Sequence, residues 1–339
     1  MAARTDMKSV SAAWHALANG NDGEGWRIIS IGASAPCELF AGRHLPHGEE
    51  ALLIGFRSDN KISDLSLPQG HGFEVSALPS DPTGVDRTCL VLTRREGASL
   101  ELFTTMTEDL IRLIESSTSE NGNRLLQRFL ARIGAWQDFM ERHKGGVLSP
   151  EAEVGLFGEL VVLGQLLDEG IPARLAVNAW QGPANSLQDF IFGSGAIEVK
   201  TTLSATAFPA TVGSLEQLDE TQRHPLFVAA VRLVVDASGK TLPSMADSIR
   251  DRLRGELAAL DLLETSLIHA GLSELFAERY VRRLMHVSTT ILSVAGRFPR
   301  LTPCNVNPAI RKARYELDLS SVEDEGIGLT SALRQLGVE

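Results

Sequence analysis

The segment Leu226–Val235 constrains the fold more than any other part of the sequence. It reads LFVAAVRLVV, so nine of its ten residues are apolar and only Arg232 interrupts the run. A strand with one exposed face alternates apolar and polar residues, whereas a strand covered on both faces is apolar nearly throughout. We therefore expect a strand inside a sheet that has packed elements on both sides, which indicates the α/β class of fold.

The composition is that of a globular protein with room for more than one core. The chain has 339 residues, of which 43% are hydrophobic and 22% charged, and this length favours about two domains. Residues 1–100 alternate between turn signals and short apolar segments, and a short helix is expected at Met1–Leu17. The predicted strands of this part are Trp26–Ile31, Ala51–Phe56, Phe73–Ala77 and Thr88–Thr93.

A domain boundary is predicted near residue 145. Two helical patterns precede it, Thr107–Ser117, with Thr107 as its cap, and Asn123–Lys144. The pair Gly145-Gly146 then ends the second helix. We predict an N-terminal domain over 1–145, made of an antiparallel β-rich part plus helices, and a second domain over 146–339.

The second domain is predicted to begin with a buried helix that carries one acidic residue. Ser149 and Pro150 suit its start, and it runs to about Asp168. Because this helix is apolar nearly all round, we expect it to be buried. Glu159 lies inside it, and a buried carboxylate has to find a partner. A metal ion, a lysine or a rotamer that reaches the surface would each serve.

Two strand patterns follow this helix and bring three charged residues together. Gln188–Phe192 and Ala196–Thr202 are joined by a glycine-rich turn. Since strand side chains alternate between faces, Glu198 and Lys200 point the same way. The turn folds Asp189 back towards them, give or take one residue of register. Burying two carboxylates and an ammonium group in an otherwise apolar hairpin costs desolvation free energy, which a bound ligand or ion would offset.

The chemistry that uses such a set is metal-assisted hydrolysis of a phosphodiester. Carboxylate oxygens are hard ligands that hold Mg²⁺ while the ion keeps several waters. A lysine beside the metal orients the attacking water and stabilises the charge that develops on the phosphate. The alternative is a structural ion-pair network at a solvated strand end.

These residues resemble the PD-(D/E)XK nuclease superfamily, which has the restriction-endonuclease-like fold. Asp189 matches the family aspartate, and Glu198-Val199-Lys200 matches the E-X-K element. Glu159 matches the acidic residue on the preceding helix, and Gln217 matches a downstream glutamine that orients water or phosphate in several branches. Three strings resemble one bacterial group of the superfamily: Gly155–Leu160, Trp180–Pro183 and Glu198–Thr202.

The resemblance implies a mixed sheet flanked by helices and a Mg²⁺-dependent or Mn²⁺-dependent DNA endonuclease. The site residues it implies are Asp189, Glu198, Lys200, Glu159 and Gln217, with Asp189, Glu198 and Glu159 on the metal. It also implies a bacterial restriction or anti-phage defence system, whose other subunits are candidate partners. A catalytically inactive scaffold that binds DNA or partner proteins is the alternative, because this fold also supports binding modules.

Two departures from the family pattern bear on the topology and the motif. Asp189 follows Gln188 and not a proline. The helix expected between the third and fourth core strands is not evident in 203–225, which is predicted to be an extended segment and a loop.

The charge distribution limits how the chain can meet a nucleic acid. With 43 Asp and Glu against 32 Lys and Arg, the net charge is −11, which excludes a uniformly cationic surface. The segment 279–315 nevertheless holds eight basic residues and no acidic one, and such a segment could follow a phosphate backbone. The alternative is that they pair with acids elsewhere. The eight are Arg279, Arg282, Arg283, Arg297, Arg300, Arg311, Lys312 and Arg314.

Other sequence features predict a cytoplasmic protein. No window approaches about 18 uninterrupted apolar residues, so no membrane span is expected. Three widely spaced cysteines, Cys37, Cys89 and Cys304, argue against a disulfide framework and fit a reducing compartment. Cys37, His44 and His47 match no common metal spacing and are interpreted as surface residues. Cleavage of both DNA strands would need two sites, hence a homodimer or a partner.

Overall fold

A computed structural model describes residues 9–18, 24–34, 37–56, 67–78, 88–117, 121–142, 146–184, 186–323 and 326–338. Contacts divide the chain into two compact units, Met1–Gly145 and Gly146–Glu339. The fold is mixed α/β, with several sheets flanked by helices and an antiparallel first sheet, as the sequence predicts. The start of the predicted first helix (residues 1–8) and Lys144-Gly145 lie outside the described residues.

The first unit contains a five-stranded antiparallel sheet. Its strands are β1 (Gly25–Ser34), β2 (Cys37–Leu45), β3 (Glu49–Phe56), β4 (Phe73–Leu78) and β5 (Thr88–Arg94), in the order β1-β2-β3-β5-β4. The strand β2 is not predicted from the sequence, because Gly42 and Arg43 interrupt its apolar pattern. Arg43 is accommodated by Glu50 on β3, at 2.6 Å. Cys37 is buried in β2, so its interpretation as a surface residue is wrong, whereas His44 and His47 are exposed.

The described part of the first unit also has three helices: α1 (Val10–Leu17), α2 (Leu100–Glu115) and α3 (Gly122–Arg142). The predicted start of α2 at Thr107 is wrong. The cap is Ser99, whose side chain accepts from the Leu102 amide, and Thr107 lies in the middle of the helix. There its hydroxyl donates to the Phe103 carbonyl at 3.0 Å. A threonine can bond to the backbone at a cap or inside a helix, so the residue type does not distinguish the two positions.

The described residues of the second unit form five α-helices, the first of which begins where the sequence predicts. Ser149 caps α4 by accepting from the Ala152 amide, and Pro150 occupies the first turn. The stretch 242–269 forms two helices with a break between them. The helices are α4 (Pro150–Asp168), α5 (Ala173–Ala179), α6 (Leu242–Arg252), α7 (Leu257–His269) and α8 (Leu329–Gln335).

Two sheets of the second unit position the site described below. The strands are β6 (Phe190–Phe192), β7 (Gly195–Thr202), β8 (Pro209–Val212), β9 (Leu226–Lys240), β10 (Leu284–Ser293) and β11 (Tyr315–Asp318). One sheet has the order β10-β9-β7-β6 and is mixed, because β7 and β9 are parallel while the other pairs are antiparallel. The second sheet pairs β8 with β11. Residues 203–225, all of them described, contain β8 and turns but no α-helix.

Apolar layers cover both faces of the mixed sheet. On one face Ile197 and Phe227 pack in a cluster with α4, α6 and α7, and on the other Ala196 and Val228 pack with β8. The prediction of a strand covered on both faces is correct for the first part of β9. It is wrong for the end of Leu226–Val235, since Val235 is 59% exposed. The pairing of β9 with β7 ends at Arg232, and beyond that point β9 pairs with β10 alone.

Candidate active site

Glu159 lies on the buried helix α4 and is held by a tryptophan. Its Oε2 accepts a hydrogen bond of 2.7 Å from the indole Nε1 of Trp180. Trp180 is 2% exposed and follows α5 directly. The indole N–H thus supplies the partner that a carboxylate on a buried helix requires, and it was not among the three kinds of partner expected from the sequence.

A close approach of α4 to β7 brings Glu159 to the site. A Cβ added to Gly158 would overlap the Thr201 hydroxyl and lie 3.0 Å from Thr201 Cβ. Only a glycine leaves room for this contact. The residue next to Glu159 therefore sets the separation between the helix and the strand that carries Glu198 and Lys200.

Asp189 precedes β6 and is fixed through its backbone and its side chain. Its carbonyl accepts from the amides of Gln181 and Gly182, at 2.7 and 3.0 Å. Its carboxylate Oδ2 accepts from the Val199 amide on β7 at 2.7 Å. A Cβ on Gly182 would lie 2.6 Å from Asp189 Oδ1 and 2.9 Å from Glu159 Oε2, so both carboxylates flank the same Cα atom.

Glu198, Lys200 and Gln217 form a hydrogen-bonded group. Oε1 of Glu198 accepts from Lys200 Nζ at 2.7 Å and from Gln217 Nε2 at 2.6 Å. Gln217 is itself fixed, because its Oε1 accepts from the Gly213 amide at 2.7 Å. The other carboxylate oxygen, Glu198 Oε2, is buried and has no hydrogen-bond partner among the described residues. Such an orphaned acceptor, meaning one that is buried without a hydrogen bond, lowers the stability of the fold unless a cation or a donor reaches it.

The three carboxyl groups are harder to ionise than usual. Burial raises the pKa of Asp189 to about 6, although the Val199 amide and the Lys200 charge oppose it. Burial and then the charge of Asp189 raise the pKa of Glu198 to about 8. Burial and the charge of Asp189 also raise the pKa of Glu159 well above its usual range. With Lys200 as the nearby cation, the site lacks the positive charge that would keep all three ionised at neutral pH.

These residues open into one cleft. It has a volume of about 580 Å³, and Glu159, Asp189, Glu198 and Lys200 all line it. Its walls are the first turns of α4, the end of β7 and the strands β8 and β11. Four of the five predicted site residues therefore face a common space, and Gln217 supports it through Glu198.

The oxygens present suit a hard divalent cation in their chemistry. Carboxylates are the ligands that Mg²⁺ and Mn²⁺ prefer, and the orphaned Glu198 Oε2 is the kind of atom such an ion would satisfy. Within the described ranges, however, no three His, Cys, Asp or Glu side chains already converge as a metal-ligand set. The residues fit the ion by donor type.

The eight basic residues of the predicted segment differ in their contacts. Arg300 forms an ion pair of 2.6 Å with a glutamate, and Arg282 lines the cleft. Arg283 donates to a backbone carbonyl, and Arg279 lies 5.8 Å from the centroid of a phenylalanine ring. The remaining four basic residues are exposed: Arg297, Arg311, Lys312 and Arg314.

The roles of Trp180 and Gly182 at the site, and the contact between Gly158 and Thr201, are not predicted from the sequence. Their spacing carries no periodic signal, because the contacts join a loop, a helix and a strand that are distant in the chain. The string Trp180–Pro183 is one of the three strings that resemble the family, but no chemical pattern in it indicates a role at the site.

Comparison with known proteins gives one family and no individual relative. A family model described as "Putative PD-(D/E)XK family member, (DUF4420)" matches residues 10–320. Searches of curated proteins and of solved structures found no match. Across the described residues, no helix has both the length and the apolar character that crossing a membrane requires.

Proposed function

The chain belongs to this PD-(D/E)XK family, and on that premise we propose that it is a Mg²⁺-dependent or Mn²⁺-dependent DNA endonuclease. The observation that carries the proposal is the group of three carboxyl groups, one buried and two half-buried, and one lysine around a single cleft. Three raised carboxyl pKa values in one cleft mark a functional site more often than a structural one. The orphaned Glu198 Oε2 adds a place where a cation would be held.

The roles of the residues follow from their contacts. Asp189 and Glu198 would hold the ion, with Glu159 in support. When bound, a divalent cation polarises the phosphate and lowers the pKa of a water bound to it. Lys200, 2.7 Å from Glu198, would donate to the scissile phosphate and stabilise its developing charge. Gln217 keeps Glu198 oriented, and the Val199 amide keeps Asp189 oriented.

The test is cleavage of plasmid DNA and of single-stranded DNA with Mg²⁺ or Mn²⁺. Asp189→Asn and Lys200→Ala should each reduce the rate by at least about 100-fold, since positioned charged groups contribute that much or more. Arg174→Ala on α5 is the matched control, because this exposed residue does not line the cleft. If either site variant cleaves at the wild-type rate, the assigned roles are wrong.

A silent scaffold that binds DNA or partner proteins is the second candidate. The ion pair between Lys200 and Glu198, together with the lack of a converged three-ligand set among the described residues, favours it. A scaffold would bind no divalent cation in the cleft, whereas a nuclease would. Cation binding therefore separates the two candidates.

The biological setting we propose is a bacterial restriction or anti-phage defence system, with other subunits as partners. The support for it is the family resemblance alone. Expression of the chain with its neighbouring genes should reduce phage plating, and Asp189→Asn should restore it. If phage form equal numbers of plaques on cells that express the wild type and on cells that express Asp189→Asn, this setting is contradicted.

A further inference from the structure

The cleft has an unfavourable charge for a polyanionic substrate. Five acidic residues line it against two basic ones, Lys200 and Arg282. Lys200 is 12% exposed and already engaged with Glu198 at 2.7 Å. A second cation beside Lys200 would lower the repulsion between these acidic residues and a phosphodiester backbone that enters the cleft. The acidic residues are Glu151, Glu159, Asp189, Glu198 and Glu316.

Arg282 is the second cation, and its hydrogen-bonding capacity is only partly used. Its Nη1 donates to the Pro150 carbonyl in the first turn of α4 at 3.2 Å. Its Nε lies 3.7 Å from Glu153 Oε2, which is beyond hydrogen-bond distance. A guanidinium has five N–H donors in a planar fork, so most of them remain available. The side chain is 29% exposed, which leaves it accessible from the cleft.

Glu153 and the start of α4 orient this guanidinium. The Glu153 side chain is 9% exposed, and its Oε1 is buried without a partner among the described residues. Burial raises the pKa of Glu153, and the Arg282 charge opposes that rise. Arg282 is thus held near the cleft by a backbone acceptor and an incompletely satisfied carboxyl group, and apart from the Nη1 bond to Pro150 its donors have no hydrogen-bond partner among the described residues. Glu151 and Tyr280 are the other titratable groups close to this pair.

We propose that Arg282 binds a backbone phosphate of the nucleic-acid substrate, next to the phosphate that is cleaved. This inference rests on the proposed function. Arginine suits the role because its planar fork pairs with two phosphate oxygens at once. Lys200 would then act at the reacting phosphate, and Arg282 would fix the register of the strand at the α4 end of the cleft. The recognised chemistry is the phosphodiester backbone, which DNA and RNA share.

A purely structural role for Arg282 makes a different prediction. In that case the side chain only ties the segment before β10 to the first turn of α4, and its loss would lower thermal stability. The salt dependence of nucleic-acid binding would then stay unchanged. A phosphate contact instead contributes to that dependence, because each neutralised phosphate releases counterions.

The experiment measures binding of fluorescein-labelled 20-nucleotide duplex DNA, single-stranded DNA and RNA by anisotropy, with Ca²⁺ in place of Mg²⁺. Arg282→Gln removes the charge, Arg282→Lys keeps it, and Arg334→Gln on α8 is a charge-matched control outside the cleft lining. We expect Arg282→Gln to weaken binding of the preferred oligonucleotide about tenfold and to reduce the salt slope by about 1. Arg282→Lys should recover part of the affinity, and Arg334→Gln should match the wild type.

The outcomes distinguish this inference from the proposed function. If the wild type neither binds nor cleaves any of the three oligonucleotides, the proposed function fails and this inference with it. If the wild type binds and cleaves, but Arg282→Gln keeps the affinity and salt slope of Arg334→Gln, only this inference is overturned. Melting temperatures of all variants identify a loss of folding. Should Arg282→Gln be unstable, Arg282→Lys with a reduced affinity at an unchanged melting temperature would still support the phosphate contact.

Discussion

Trp180 shows how a single hydrogen bond can orient a carboxyl group of the candidate site from outside the sequence motif. Its indole N–H is 2.7 Å from Glu159 Oε2, and its ring is buried. The bond occupies Oε2 of Glu159. Trp180 is therefore a positioning residue, since in the proposed function it acts on the reaction through Glu159.

The indole bond makes a testable prediction. Trp180→Phe keeps an aromatic ring but removes the donor, so it should lower the free energy of unfolding by about 1–3 kcal/mol, the cost of leaving a buried acceptor without its hydrogen bond. It should also lower kcat with little change in KM, because Glu159 loses its orientation and the substrate contacts remain. Unfolding in urea and steady-state cleavage would measure the two effects.

The matched control is Trp14→Phe in the first unit. Trp14 also donates its indole N–H, to the Ala51 carbonyl at 2.8 Å, and it is equally buried. The Trp14→Phe variant should be less stable than the wild type and should have the same kcat. Equal kcat for the two variants would show that the Trp180 bond is structural only.

Site residues that lie on one strand are predicted from the sequence better than a residue that joins the site from a distant part of the chain. The alternation of a strand places Glu198 and Lys200 on one face, and the structure pairs them at 2.7 Å. That pairing needs only the two-residue period of a β-strand. Trp180 lies 21 positions from Glu159 and reaches it through a loop. No local period encodes that contact, so the sequence alone could not predict it.

At the scale of elements, the approach of α4 to β7 is the contact that builds the cleft. Gly158 faces Thr201, and an added Cβ would overlap the threonine hydroxyl. Thr201 is β-branched and therefore stiff, so it can give way only by moving the strand or its own rotamer. The separation of the two elements, and hence the reach of Glu159 towards Asp189, depends on this glycine.

Gly158→Ala should therefore be destabilising even though alanine favours a helix. Overpacking should lower the free energy of unfolding by about 1–3 kcal/mol. It should also slow cleavage at least tenfold, because a displacement of about 1 Å at a catalytic group can reduce the rate by about 100-fold. Unfolding in urea and the cleavage rate are the measurements.

A control lies one turn earlier on the same helix. A Cβ at Gly155 would meet nothing within 4 Å. Gly155→Ala should therefore stabilise the protein by about 0.5–1 kcal/mol through helix propensity alone. The double variant Gly158→Ala/Thr201→Ala should recover part of the loss, since the overlapping hydroxyl is gone. If Gly158→Ala is as stable as Gly155→Ala, the close contact does not set the position of α4.

The start of a helix was predictable where the residues fit only a capping position, and was not predictable where they also fit the interior of a helix. Ser149-Pro150 fixed the start of α4, because a serine cap followed by proline fits a first turn and little else. Thr107 suited a cap equally well but lies inside α2, where its hydroxyl bonds back to the helix. The strand β2 was missed because its interior glycine and arginine resemble a turn, although Glu50 neutralises the arginine.

At the scale of the whole molecule, the candidate site belongs to one of the two compact units. Every residue that lines the cleft comes from Gly146–Glu339. The first unit has its own five-stranded sheet and its own buried ion pair, between Arg132 and Asp109 at 2.7 Å. A ligand of the cleft should therefore stabilise the second unit selectively.

Calorimetry with a divalent cation tests this expectation. Binding stabilises by RT ln(1 + [L]/Kd), so Mn²⁺ at 100 times its Kd should add about 2.7 kcal/mol to the unit that binds it. We expect the transition of the second unit to shift upwards and that of the first unit to stay in place. Asp189→Asn should abolish the shift, and chelation with EDTA should reverse it. Unchanged transitions in Mn²⁺ would favour the silent scaffold.

The state of the cysteines has a practical consequence for studying the basic segment. Cys37 and Cys89 are buried, whereas Cys304 is exposed and lies between Arg297 and Arg311. A maleimide reagent should therefore label the folded chain at one position without any engineering. A fluorophore or spin label there would report directly on whether the segment changes its surroundings when an oligonucleotide is added.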